Sequence, residues 1–166
     1  MSTYYERAIK FIKKFSKYIY GYKQVDINEI ASYVEWFNEE NNRNVKFSYG
    51  ATRLVFITSD YVIKLDRGDN RFGLEMFGGC EQEMDFYSYA KEKGYEDYFA
   101  KIDKYEYDGT NFYIMPRIKF IGTGYWTRGL GGATKYWLAN HVNDIHPGNY
   151  GFKNGHVVFI DYAAAD

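Results

Sequence analysis

Hydrophobic and polar positions change texture three times along this chain. Over residues 4 to 20, Tyr5, Ala8, Ile9, Ile12, Phe15 and Ile19 recur at spacings of three and four, with Lys10, Lys13, Lys14 and Lys17 elsewhere. This is the period of an amphipathic helix with one packed face and one solvated face. A second helix is expected to open at Asp26, because Asp26-Ile27-Asn28-Glu29 sets a capping carboxylate three residues before a glutamate, and to end near Asn41. From Val45 the pattern turns to strands. Val45 to Tyr49, Arg53 to Thr58 and Tyr61 to Leu65 are rich in β-branched and aromatic residues and are punctuated by Gly50 and Ser59-Asp60, which predicts three adjacent antiparallel strands.

Helical spacing returns over Glu81 to Lys93, with Phe86, Tyr87 and Ala90 on one face and Gly94 suited to the C-terminal stop. Phe99 to Tyr107 and Asn111 to Ile118 then flank Asp108-Gly109, a hairpin signal. Gly122 to Gly132 reads as a loop, Thr134 to His141 as a short helix, and Asn154-Gly155 joins Asn149 to Lys153 with His156 to Asp161 as a last hairpin. The order is two helices, a strand-rich stretch with one inserted helix, and a smaller part ending in a hairpin, an α+β arrangement.

Composition sharpens this picture in a few places. A chain of 166 residues with 46% hydrophobic and 21% aromatic content can bury a real core, and its length is that of one domain with at most two lobes. Net charge is −1, which argues against the broad basic surface of a general nucleic-acid binder and leaves room only for a local basic patch. The one cysteine, Cys80, cannot form an internal disulfide, and no Cys/His cluster has zinc-ligand spacing. The amino terminus is broken by Lys and Arg and no run nears the roughly 20 apolar residues of a membrane span, so a cytoplasmic protein without membrane partners is expected.

The candidate chemistry lies in Asn143-Asp144-Ile145-His146-Pro147-Gly148-Asn149, followed twelve residues later by Asp161 in Phe159-Ile160-Asp161-Tyr162-Ala163. Asp144 and Asn149 resemble the D-x-x-x-x-N catalytic loop of protein kinases, and Ile145-His146-Pro147-Gly148-Asn149 is closer still to the version in aminoglycoside phosphotransferases. Asp161, at the end of an apolar strand, resembles the aspartate that opens the kinase metal-binding triplet. Upstream, Tyr61-Val62-Ile63-Lys64-Leu65 is similar to the kinase strand whose lysine holds nucleotide phosphates, although a strand lysine can equally point to solvent. Glu83, nineteen residues on in the inserted helix, occupies the place of the glutamate that pairs with this lysine, with Glu81 as the alternative if the helix phase shifts. Ser48-Tyr49-Gly50-Ala51-Thr52-Arg53 stands at the position of the glycine-rich loop with Gly50 alone of the three glycines, so a phosphate cradle and a plain hairpin turn are both open. Tyr113-Ile114-Met115-Pro116-Arg117 resembles the linker between kinase lobes, with Met115 near the adenine.

The resemblance covers roughly Phe47 to Tyr162 and implies a minimal, bilobal, kinase-like fold. Residues 1–44 are then extra N-terminal helices, 45–118 a β-rich N-lobe with its lysine-pairing helix, and 119–166 a much reduced C-lobe. It implies ATP and Mg²⁺ as cofactors, with Lys64 on phosphate, Glu83 holding Lys64, Asp144 orienting the acceptor hydroxyl, and Asn149 and Asp161 on the metal, whose preference is for hard oxygen ligands. The acceptor, protein or small molecule, is not specified. Three features depart from the protein-kinase pattern: Val142 and Asn143 replace the His-Arg before the aspartate, Tyr-Ala follows Asp161, and the sequence ends at Asp166 without an activation segment or later helices. That last feature favours an alternative, a pseudokinase or interaction module that binds a protein partner without catalysis. The Lys-, Asn- and Tyr-rich composition resembles small kinase-like proteins of bacteriophages and their bacterial hosts. Trp36, Trp126 and Trp137 are expected as packing residues, His146 and His156 as exposed or structural, and Cys80 as no catalytic thiol.

Overall fold

The computed structural model describes residues 3–19, 27–50, 53–66, 79–118, 125–142, 145 and 147–160. Among these, four helices, α1 (Tyr4–Ile19), α2 (Ile27–Asn41), α3 (Gly79–Glu92) and α4 (Gly132–His141), accompany seven strands. The strands are β1 (Lys46–Tyr49), β2 (Arg53–Ile57), β3 (Tyr61–Asp66), β4 (Asp103–Tyr107), β5 (Thr110–Pro116), β6 (Tyr150–Lys153) and β7 (His156–Phe159). The first five form one antiparallel sheet in the order β1-β2-β3-β5-β4, and β6 and β7 form a separate hairpin, so the class is α+β. The chain groups into two compact units, Met1–Cys80 with Asp103–Arg117, and Glu81–Ile102 with Ile118–Asp166. Among the described residues no helix is long and apolar enough to cross a membrane.

The first unit is organised by alternation. Pairing Leu54 with Leu65, Phe56 with Ile63 and Ile63 with Ile114 puts Leu54, Phe56, Tyr61, Ile63, Leu65, Phe112 and Ile114 on one face of the sheet. Onto this face pack Ala8, Phe11, Ile12 and Phe15 of α1 and Ile30, Val34 and Phe37 of α2, all buried. Phe11 is central to this packing, 5.1 Å from the Phe37 ring, 5.4 Å from Phe15 and 5.8 Å from Phe56. The helical stripe expected from Tyr5, Ala8, Ile9, Ile12 and Phe15 does face the core, with Ala8, Ile12 and Phe15 in its deepest line and Tyr5 and Ile9 at its margin; Phe11, not counted in that stripe, joins the deepest line. Each phenylalanine sealed this way contributes on the order of 1.5–3 kcal/mol.

Polar side chains fix the ends of these elements. Asn38 of α2 mimics a strand neighbour for Val45, donating to its carbonyl and accepting from its N–H, both at 2.9 Å. The β2–β3 turn is held by Thr58, whose hydroxyl accepts the Tyr61 N–H at 3.1 Å, and by Arg117, which donates from its side chain to the Thr58 carbonyl at 3.1 Å. Arg7 of α1 forms an ion pair with Asp60 in the same turn. Trp36, expected to pack, is instead 49% exposed on α2, because Ile30, Val34 and Phe37 take the buried stripe and leave position 36 on the solvent side.

The stretch expected as a strand from Phe99 is divided. Phe99, Ala100 and Ile102 are all buried and do not alternate, whereas Asp103 to Tyr107 do, so β4 begins only at Asp103. Phe99 instead bridges Phe159 in parallel, and the Ala100 N–H donates to the Phe159 carbonyl at 2.9 Å. Both hairpins turn as the sequence implies, with positive φ at Asp108 (52°) and Gly109 (79°) and at Asn154 (55°) and Gly155 (83°), the geometry of a two-residue type I′ turn. The end of α3 is closed by the Tyr95 N–H on the Ala90 carbonyl at 2.8 Å and the Gly94 N–H on Lys91 at 3.1 Å, a Schellman pair.

Candidate functional site

The face of the five-stranded sheet turned away from α1 and α2 has a different chemistry. One-residue alternation brings Arg53 and Val55 of β2, Lys64 and Asp66 of β3, and Tyr113 and Met115 of β5 to it. Val55, Lys64 and Tyr113 lie in one register row, and Arg53 stands opposite Asp66. Lys64 is only 5% exposed and Arg53 only 6%, so neither cation snorkels to solvent as strand lysines and arginines usually do. Lys104 of β4 lies over the Tyr113 ring at 5.9 Å.

Asp66 closes this row at the end of β3. Its Oδ1 accepts the backbone N–H of Cys80, in the first turn of α3, at 2.8 Å. Cys80 is fully buried, and burial pushes its thiol above the ordinary range. The Asp66 carboxylate pushes the same way, while Arg53 and Lys64 pull it down, so all three charged groups act on one sulfur. A buried thiol kept protonated is a weak nucleophile.

The first unit thus holds three of the residues singled out for nucleotide chemistry. Lys64 is buried on the charged face. Met115 is buried within β5 and pairs with Val62, two residues before Lys64, so it lies in the strand and not beyond it. Gly50 is exposed at the β1–β2 turn, where its N–H donates to the Arg53 carbonyl at 2.9 Å.

Within the second unit, α3 places Glu83, Tyr87 and Ala90 at spacings of four and three on its inner side, with Phe86 beside them against Phe99 (ring centroids 5.2 Å apart). Glu83 is 0% exposed, whereas Glu81 faces solvent. Asn149 ends the short helical turn Pro147–Asn149 and is buried, and its carbonyl accepts the Ile160 N–H at 2.9 Å. That bond extends the β6–β7 ladder, in which Tyr150 pairs with Phe159, by one step. Asp144, Asp161 and His146 lie outside the described residues. Among the described residues no group of three or more His, Cys, Asp or Glu could hold a metal ion.

The described histidines and tryptophans of this unit, His141, His156, Trp126 and Trp137, make ring contacts. Trp137 is stacked between Tyr95 and His141, each 4.2 Å away, and the His141 ring bonds the Trp137 carbonyl at 2.7 Å. Trp126 lies 6.1 Å from Phe159, and His156 is tilted against Tyr98 at 4.7 Å. Arg53 and Asp66 were missed as site residues. The signal for both was available: Asp66 is two positions beyond Lys64 on a strand, hence on the same face, and Arg53 is its partner once β2 and β3 pair.

No family model matches the chain. No curated protein matches it either. Among solved structures it is similar to the Legionella pneumophila Lpg2603 kinase bound to IP6, with a TM-score of 0.45 and 17% identity over 74% of this chain and 52% of that one. The chain thus spans about half the length of that structure.

Proposed function

We propose that this chain is an ATP- and Mg²⁺-dependent phosphotransferase of kinase-like, bilobal design. The observation that carries the reading is the burial of Lys64, at 5% exposure, on a sheet face shared with Arg53 and Asp66. Taking an ammonium group out of water is costly unless it meets anions, and a nucleotide phosphate is such an anion. The sequence supplies the other parts in the order of the kinase pattern it resembles: Gly50 at the turn in the place of the glycine-rich loop, Lys64, Glu83, Met115, then Asp144, Asn149 and Asp161.

In this reading Glu83, the fully buried carboxylate of α3, holds Lys64 on the phosphates. Asp144 orients the acceptor hydroxyl and takes its proton as the acceptor O–P bond forms and the bond from the γ-phosphorus to ADP breaks. The donor set fits Mg²⁺: Asn149 offers an amide oxygen at a backbone position fixed by Ile160, and Asp161 follows Ile160 directly in sequence. Magnesium is usually held by one or two such protein oxygens, the remainder coming from phosphates and water. Bound there, it would neutralise charge on the phosphate oxygens.

The test separates binding from chemistry. Asp144→Ala is expected to abolish phosphate transfer to a true acceptor while nucleotide affinity stays largely intact; transfer retained by this variant refutes the assignment. Stabilisation by ATP that depends on Mg²⁺ and disappears in Asp161→Asn supports a working metal site.

A second reading, a partner-binding module without catalysis, draws on Trp36, half exposed on α2, since tryptophan is enriched among residues that anchor protein interfaces. Absence of any thermal response to ATP or Mg²⁺ favours this reading over the first.

A further inference from the structure

Asp66 sits where two elements that are distant in sequence must be joined. It is the last residue of β3, two positions past Lys64 and on the same face, and Cys80 is fourteen residues further along the chain. The first N–H groups of a helix have no partner within it, and α3 begins at Gly79. One of these groups, on Cys80, is satisfied by the Asp66 carboxylate at 2.8 Å. A negative charge at that end is also favoured by the helix dipole. Across the sheet Asp66 faces Arg53, an opposite-charge pair in direct register with the arginine buried.

From this geometry we infer that Asp66 is a positioning residue: it clamps the first turn of α3 to the strand that carries Lys64, and so sets the affinity of the Lys64 site for nucleotide. The 2.8 Å bond from the Cys80 N–H to Asp66 brings the helix start to the end of the lysine's strand. Asp66 touches neither substrate nor metal in this account. It acts by holding the first turn of α3 against the end of β3, two residues from Lys64. The clamp stands on the contacts of Asp66 alone, whereas its effect on nucleotide rests on the phosphotransferase reading.

Two readouts on the full chain keep these apart. The first is amide hydrogen exchange, which needs no nucleotide. Asp66→Ala is expected to speed exchange of the Cys80 amide roughly tenfold, with amides of the β2–β3 ladder such as Ile63 unchanged. Asp66→Asn keeps an acceptor oxygen and is expected to restore most of the protection. Should Asp66→Ala not fold, a through-hydrogen-bond NMR coupling between the Cys80 amide nitrogen and the Asp66 carboxyl carbon in the wild-type chain decides the same point. Unchanged exchange in Asp66→Ala, or no such coupling, overturns the clamp.

The second readout is ATP titration with Mg²⁺, where Asp66→Ala is expected to weaken binding about tenfold and Asp66→Asn much less. A loosened first turn with unaltered nucleotide affinity overturns the positioning role. A wild-type chain that shows the protected Cys80 amide but binds no nucleotide instead removes the phosphotransferase reading and, with it, the proposed effect on affinity.

Discussion

On one face of the five-stranded sheet, Leu54, Phe56, Ile63 and Ile114 meet the aromatic line of α1 and α2; on the other, the same strands present Arg53, Lys64, Asp66 and Tyr113. A single residue of register separates these faces, yet their physics differs. Apolar packing is non-directional and tolerant of what lies opposite, provided volume is conserved. Buried charge is neither, because each ion must meet a counter-charge or hydrogen-bond partner at a defined place. The first face supplies stability, and the second carries a cost that a packing role alone does not require. Of the residues singled out for chemistry, Lys64 and Met115 fall on this second face, and both are buried there.

The largest effect is expected on the apolar face. Phe56→Ala removes a ring that lies 5.2 Å from Phe15 and 5.3 Å from Phe47, and is expected to reduce unfolding free energy by about 3–5 kcal/mol in urea titration. A loss below about 1 kcal/mol contradicts the packing described.

On the charged side the expected signature is coupling. If Lys64 is matched by Glu83, Lys64→Met and Glu83→Leu each leave an uncompensated buried charge and each cost roughly 3–5 kcal/mol. The double substitution is then expected to cost less than the sum by at least about 1 kcal/mol. Strictly additive losses break the pairing.

A smaller effect is expected at high pH. Burial raises the Tyr61 phenol from its ordinary value to about 12, with Asp60 adding to the shift. The folded state therefore prefers the neutral phenol: its contribution is complete below pH about 10 and is lost as pH rises toward about 12. Stability followed over that window should fall in the wild type and fall less steeply in Tyr61→Phe. The smallest effect belongs to the part-exposed Arg7–Asp60 pair, where Arg7→Gln is expected to cost only about 0.2–1 kcal/mol and to lose that difference in high salt.

Much of the fold is legible in the sequence because its signals are local. The Asp108-Gly109 and Asn154-Gly155 turns, the alternation of β2 and β3 and the stop at Gly94 each depend on a few neighbouring residues. What was not legible depends on partners far along the chain. The place of Phe11 in the deepest line of α1 follows from where α2 and the sheet present their rings, and the late start of the strand expected from Phe99 accompanies a bridge from Phe99 to Phe159, sixty positions away. Trp36 faces solvent because three other apolar residues of α2 fill the buried stripe. At the site, residue types pointed to Lys64, Glu83 and Asn149, but the roles of Arg53 and Asp66 emerge only once β2 and β3 are paired and α3 begins beside them.

Nucleotide binding at Lys64 is tested by calorimetric titration of ATP, with and without Mg²⁺, into the wild-type chain and into Lys64→Arg, which keeps the buried charge but not the shape of an ammonium group. Binding by the wild type is expected to be tighter with Mg²⁺ and at least about tenfold weaker in Lys64→Arg, a difference of ~1.4 kcal/mol. No binding at millimolar nucleotide, or equal affinity in the two proteins, would contradict it.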